Sequence, residues 1–123
     1  MRCGTTVKHI ALNNQETNRN VSNSIADEKA IREIYLRNFE ICINESSPAS
    51  VMSSYNLING EHANNSRDLF TYVLKDEWGY DGIVMKDWYA ANPMMAPSGG
   101  RENTKKIPVS WSSGCDLTYR MLF

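Results

Sequence analysis

The sequence predicts an α/β fold with parallel strands, and three observations predict it. Short apolar runs alternate with longer segments of helical periodicity, in the order strand, helix, strand, helix, strand. The third apolar run, Gly82-Ile83-Val84-Met85-Lys86, is nearly free of polar residues, as expected of a strand covered on both faces. Turn and cap residues stand where the periodicity changes: Pro48, Asn59-Gly60 and Gly79.

The first strand is placed at Thr5-Thr6-Val7-Lys8-His9-Ile10. Asn13 to Asn20 is too rich in Asn for a helix interior and reads as a long loop. A helix is expected from about Asp27 to Asn44, with Ser24 or Asp27 capping its start and Glu28 in its first turn. Ile31, Ile34, Tyr35, Phe39 and Cys42 recur at helical spacing and are assigned to its apolar face. Pro48 stops the helix. Ser50 to Tyr55 is the second strand, closed by Asn56 to Gly60, where Asn-Gly marks a turn. A second helix runs from about Ser66 to Trp78, with Leu69, Phe70, Val73 and Leu74 apolar and Gly79 as its C-terminal glycine. The third strand leads to Asp87-Trp88-Tyr89. Asn92 to Ser113, rich in Pro, Gly, Ser and charge, reads as loop. Such an order implies right-handed crossovers between parallel strands. Three strands cannot close a barrel, so the chain is either a small open unit or part of something larger.

Composition excludes several classes. The 123 residues are 41% hydrophobic and 22% charged, with a net charge of −1, an ordinary globular balance that favours neither nucleic acid nor acidic membranes. No apolar run approaches the roughly 20 residues of a membrane span, and the first residues carry no signal-peptide core, which favours a cytoplasmic location. Cys3, Cys42 and Cys115 are scattered and odd in number, fitting free thiols rather than a disulfide framework or a metal site. Asn20, Asn44 and Asn64 begin glycosylation-type triplets, read as coincidental without a secretory signal.

Chemistry-bearing residues gather at the strand ends. In parallel α/β folds the C-terminal edge of the sheet holds the active site. Lys8-His9, Tyr55 and Asp87-Trp88 end the three strands. Singly each has a plain explanation: a helix-capping Asp, a solvated Lys-His pair, a tyrosine at the core's edge. Together they suit a polar ring-shaped ligand. An indole packs on C–H groups, Lys8 and His9 hydrogen-bond hydroxyls, and Asp87 faces a developing oxocarbenium ion or attacks the anomeric carbon.

Four linked motifs then carry a resemblance. They are Lys8-His9-Ile10-Ala11-Leu12-Asn13-Asn14-Gln15-Glu16 with Arg19; Glu28 with Arg32-Glu33-Ile34-Tyr35-Leu36 and Phe39-Glu40; Val51 to Gly60; and Glu77 to Trp88. In that order and spacing, from Gly4 to Trp88, they resemble glycoside hydrolase family three, especially its β-glucosidases. The resemblance implies a partial (β/α)8 TIM-type barrel, with about three parallel strands, two crossover helices and a loop-rich C-terminus. Residues 1–123 would form a fragment of that barrel domain, with motifs in 4–88 and an irregular tail in 89–123. Asp87 would be the nucleophile of a retaining hydrolysis releasing terminal β-linked glucose. Lys8, His9, Met52, Tyr55 and Trp88 would bind the sugar, while Glu16 and Arg19 would hold the loop after the first strand. The substrate would be a β-glucoside or oligosaccharide, with no metal or cofactor, because two carboxyls do the chemistry.

Departures qualify what the resemblance implies. Lys86 precedes Asp87 where the family carries Ser or Thr; its ammonium either sits beside the nucleophile or points away along the pleat. Gly114 to Arg120 only echoes the family's next segment. The general acid/base Glu and two further sugar-gripping residues of the family have no counterpart here. The expectation is therefore a fragment weakly active or inactive alone, open to self-association through exposed sheet edges. The alternatives are a non-catalytic relic that at most binds sugar, and a β-xylosidase or N-acetylglucosaminidase-type fragment.

Overall fold

A computed structural model describes residues 3–88; Cys115, the expected loop from Asn92 and the tail 89–123 lie outside the described residues. Three strands form the main sheet: β1 (Thr6–Ile10), β3 (Ser50–Ser53) and β6 (Ile83–Met85). Their order is β1-β3-β6 and both pairings are parallel. The register aligns Val7, Val51 and Val84 in one row across the sheet. All three belong to the core or pack against it. The next row, Lys8, Met52 and Met85, turns to the other face by strand alternation.

The valine row is covered by two helical runs. The first, α1, comprises the consecutive segments Glu28–Ala30, Ile31–Leu36 and Arg37–Ser46. Asp27 starts it, its Oδ1 accepting the Ala30 N–H at 2.7 Å. Ser47, in the left-handed region at φ 45°, ends it just before Pro48. The second, α2 (Asp68–Glu77), ends at Trp78, and Gly79 follows with φ +66°, as the glycine's position predicts. Leu36, Phe39 and Ile43 from α1 meet Leu69, Phe70, Val73 and Leu74 from α2 over Val51 and Val84. Burying a side chain of this size contributes about 1.5–3 kcal/mol.

Two features of α1 correct the sequence reading. Ile34 is 67% exposed and Cys42 is exposed, whereas Leu36 and Ile43 are buried. The physical reason is helical phase: the buried stripe Leu36, Phe39 and Ile43 keeps i, i+3, i+7 spacing, with Ile34 on the far side of it and Cys42 on its flank. Nor does Ser24 cap the helix; its hydroxyl donates to the Leu12 carbonyl at 3.0 Å. Arg32 bridges the helices, pairing with Glu28 at 3.0 Å and Glu77 at 2.8 Å, and these carboxylates hold its guanidinium above its usual pKa.

A second small sheet was not legible. β2 (Asn23–Ser24) pairs in parallel with β4 (Leu57–Ile58), which pairs antiparallel with β5 (Glu61–His62). Asn59 (φ 49°) and Gly60 (φ 89°) form the two-residue turn of that hairpin. The 3-10 turn Ala63–Asn65 then leads into α2, whose first turn is capped by Ser66, its Oγ accepting the Leu69 N–H at 3.3 Å. The third strand also departs from expectation. It lies at the edge of the described sheet, and Ile83 is 46% exposed rather than covered on both faces. Cys3 and Cys42 are free thiols, and no described helix is long and apolar enough to cross a membrane.

Two stability changes follow. Asp27→Ala should cost about 1 kcal/mol by removing the cap of α1, seen as a lower urea midpoint. Gly82→Ala should cost about 1–3 kcal/mol, because an added Cβ would lie 2.3 Å from the hydroxyl of buried Tyr80, which donates to the Pro48 carbonyl. An unchanged midpoint for Gly82→Ala would mean that Tyr80 is free to move.

Candidate active site

Parallel register sends the C-terminal ends of β1, β3 and β6 to one edge. β1 takes one extra residue against β3: Lys8 pairs with Met52, but Ile10 pairs with Ser53, leaving His9 as the added residue. Such an insertion re-aims a side chain. The His9 imidazole leans across the end of β3, and its Nε2 stands 3.0 Å from Oδ2 of Asp87, which follows β6. The strands bearing these two residues are not neighbours, and parallel neighbours lie about 4.8 Å apart, so only long side chains at the edge can meet.

Asp87 is held at both oxygens. Oδ2 meets His9, while Oδ1 accepts the N–H of Trp88 at 2.7 Å. Its side chain is 14% exposed, and that of His9 is 25% exposed, so the pair is sheltered yet reachable. Lys86 is buried, and its Nζ lies 3.4 Å from Oδ1 of Asn65, in keeping with the pleat-away alternative.

Tyr55 lies just beyond β3 and is nine-tenths buried. Its hydroxyl donates to the backbone carbonyl of Trp88, tying the residue after Asp87 to the second strand. Trp88 itself is 57% exposed. Met52 is half-buried, and Lys8 is exposed beside it in the same register row. Lys8 and His9 also line a groove of about 410 Å³ with Asn13, Asn14, Tyr35 and Asn38. A larger groove of about 520 Å³, between the two helices and the hairpin, contains none of these residues. The directional chemistry sits at the sheet edge, not there.

One contact was missed in the sequence. Arg19 was assigned only to holding its loop. It does pair with Glu16 at 2.7 Å, but its guanidinium also stacks over the Tyr55 ring at 4.5 Å. The loop arginine is therefore part of the edge, and no periodicity links positions so far apart in the chain. Asn13 contributes a buried Oδ1 that has no hydrogen-bond partner among the described residues. The described residues contain no cluster of three His, Cys, Asp or Glu side chains that could hold a metal ion.

With this geometry in place, known proteins show what it resembles. β-Glucosidase A of Butyrivibrio fibrisolvens is 52% identical over 84 residues, covering 68% of this chain and 10% of that protein. β-Glucosidase B of Emericella nidulans is 51% identical over 107 residues, covering 86% of this chain and 13% of that protein. The chain thus spans about a tenth of the length of these relatives. Among solved structures, β-glucosidase 3B from Thermotoga neapolitana in complex with glucose superposes with a TM-score of 0.77 at 44% identity, covering 93% of this chain and 14% of that one. The model of the glycosyl hydrolase family 3 N-terminal domain matches residues 2–121, and the chain belongs to that family.

Proposed function

We propose that this chain supplies the nucleophile and part of the sugar-binding edge of a β-glucosidase. The observation that carries the reading is the His9–Asp87 contact at 3.0 Å, on the C-terminal edge of a parallel sheet, in a chain about half identical to two proteins named β-glucosidases. In this reading residues 4–88 are the motif-bearing part of a (β/α)8 barrel and residues 89–123 continue the same domain.

The reaction is retaining hydrolysis of a terminal β-linked glucose. The Asp87 carboxylate attacks the anomeric carbon as the glycosidic C–O bond breaks, and a general acid protonates the departing oxygen. The resulting glycosyl ester on Asp87 is cleaved by water, which the same acid, now a base, deprotonates. Asp87 suits the first role because its two oxygens are fixed by His9 and by the Trp88 N–H, leaving little reorientation before attack. Lys8 and His9 bind sugar hydroxyls, Met52 and Tyr55 line the subsite, and the open indole of Trp88 packs on the ring. The chemistry is complete with two carboxyls and calls for no metal or cofactor. The partner carboxyl must stand roughly 5–5.5 Å away. Glu16 is occupied by Arg19 in an exposed ion pair, so the proposal places the acid in the length of the relatives that this chain does not span. Self-association through the outer strands of the described sheet belongs to the same proposal: pairing β1 or β6 with further strands satisfies their free edges.

Two substitutions in the complete gene product test the reading. Asp87→Asn should lower kcat on an aryl β-glucoside by on the order of 10³-fold or more while the protein stays folded. Turnover close to the parent's would remove Asp87 from the nucleophile role. Tyr55→Phe, which deletes the hydrogen bond to the Trp88 carbonyl, should lower kcat/KM about five- to tenfold, the equivalent of about 1 kcal/mol. Unaltered kinetics would mean that this bond does not support the nucleophile.

A further inference from the structure

Resting on the glycosidase reading, we infer that Asn59, on the hairpin remote from the reacting carboxylate, is a positioning residue that latches the Arg19 loop onto the active edge. The loop runs from Leu12 to Ser24, and its two ends are joined by the Ser24 hydroxyl donating to the Leu12 carbonyl at 3.0 Å. Its entry is fixed from β3 and the residues beyond it. Ser54 Oγ donates to the Ala11 carbonyl at 3.0 Å, and Asn56 Nδ2 donates to the same oxygen at 3.2 Å.

The exit is fixed by the hairpin, and Asn59 does most of it. Its Oδ1 accepts the Ala26 N–H at 3.0 Å, and its Nδ2 donates to the Ala26 carbonyl at 2.9 Å. One side chain thus satisfies both backbone groups of Ala26, as a neighbouring strand would. Asn23 answers from the other side, its Oδ1 accepting the Gly60 N–H at 2.8 Å. Two backbone bonds complete the seam, from Leu57 N–H to the Ser22 carbonyl at 2.9 Å and from Asn59 N–H to the Ser24 carbonyl at 3.0 Å.

Inside the loop the order is local. Glu16 and Asn18 carbonyls accept N–H groups of Arg19, Val21 and Ser22, and between Leu12, which is in the apolar core, and Ala26, which packs against it, no residue joins that core. Val21 is 40% exposed. Arg19 nonetheless stands over the Tyr55 ring, which in turn holds the Trp88 carbonyl. A loop with so little packing keeps one side chain in place only if its ends are fixed. Freeing the Ala26 end lets Arg19 leave Tyr55 and loosens the support of the Asp87-Trp88 turn.

Asn59 has φ 49°, so the informative variant is Asn59→Gly, which tolerates that backbone while removing the side chain and its carboxamide. Asn59→Asp keeps the acceptor for Ala26 N–H and loses the donor to its carbonyl. In the complete gene product, Asn59→Gly should speed amide exchange across residues 12–26 about tenfold or more. It should also lower kcat/KM about tenfold, with Asn59→Asp between it and the parent. Arg19→Ala combined with Asn59→Gly should be no slower than Arg19→Ala alone, because the latch acts through Arg19. Unchanged exchange, unchanged kcat/KM despite faster exchange, or additive losses in the double variant would each overturn the inference. Exchange decides the latch whether or not the protein turns over a glucoside, so its failure is distinguishable from failure of the glycosidase reading.

Discussion

The parallel register of β1, β3 and β6 is the constraint from which the site follows. Val7, Val51 and Val84 line up across the three strands, and the helices cover them. With period-two alternation, that buried row fixes which face every other strand residue takes. A slip of one residue would turn the valines out and the Lys8-Met52-Met85 row in. Because the strands are parallel, their carboxyl ends converge at one edge, and residues far apart in the chain arrive there together. β3 lies between the strands that lead to His9 and Asp87, and the two side chains meet across it, His9 being the added residue of β1.

What the sequence made legible and what it hid divide along physical lines. Main-sheet strands, both helices, the Asp27 cap and the Gly79 terminus were legible because each is a local signal: an apolar run, a cap, a glycine after a helix. The convergence of His9, Tyr55, Asp87 and Trp88 was legible because strand order and parallel direction suffice for it. Ile34 and Cys42 were misplaced because apolar character alone does not fix which side of a helix is covered: the stripe runs through Leu36, Phe39 and Ile43, with Ile34 across the helix from it. The small sheet was missed because β2, β4 and β5 are two residues each, too short to show an apolar pattern, and are held by backbone bonds with side-chain amides beside them. Likewise the stacking of Arg19 on Tyr55 depends on a loop path that no periodicity encodes.

The site shows a division of labour between core and loop. The carboxylate, the imidazole and the phenol ride on the sheet, whose register is fixed by packing. Arg19 and Asn13 ride on a polar loop hydrogen-bonded at its entry to Ser54 and Asn56 and at its exit to the hairpin. Lys86, next to Asp87 in the chain, reaches Asn65, while Asp87 meets the Trp88 N–H and His9. That arrangement keeps the acceptor oxygens of Asp87 oriented by one ring nitrogen and one backbone N–H, a geometry a nucleophile can use without first rearranging.

The central claim is that Asp87 forms the covalent bond to sugar. The most direct measurement is to incubate the complete gene product with an activated 2-deoxy-2-fluoro-β-glucoside, which forms the glycosyl ester readily but releases it slowly, and to map the modified peptide by mass spectrometry. The account predicts one fluoroglucosyl group per chain, located on Asp87 and absent from Asp87→Asn. A label on any other carboxylate, or steady turnover of unmodified glucoside with no label at all, would contradict it.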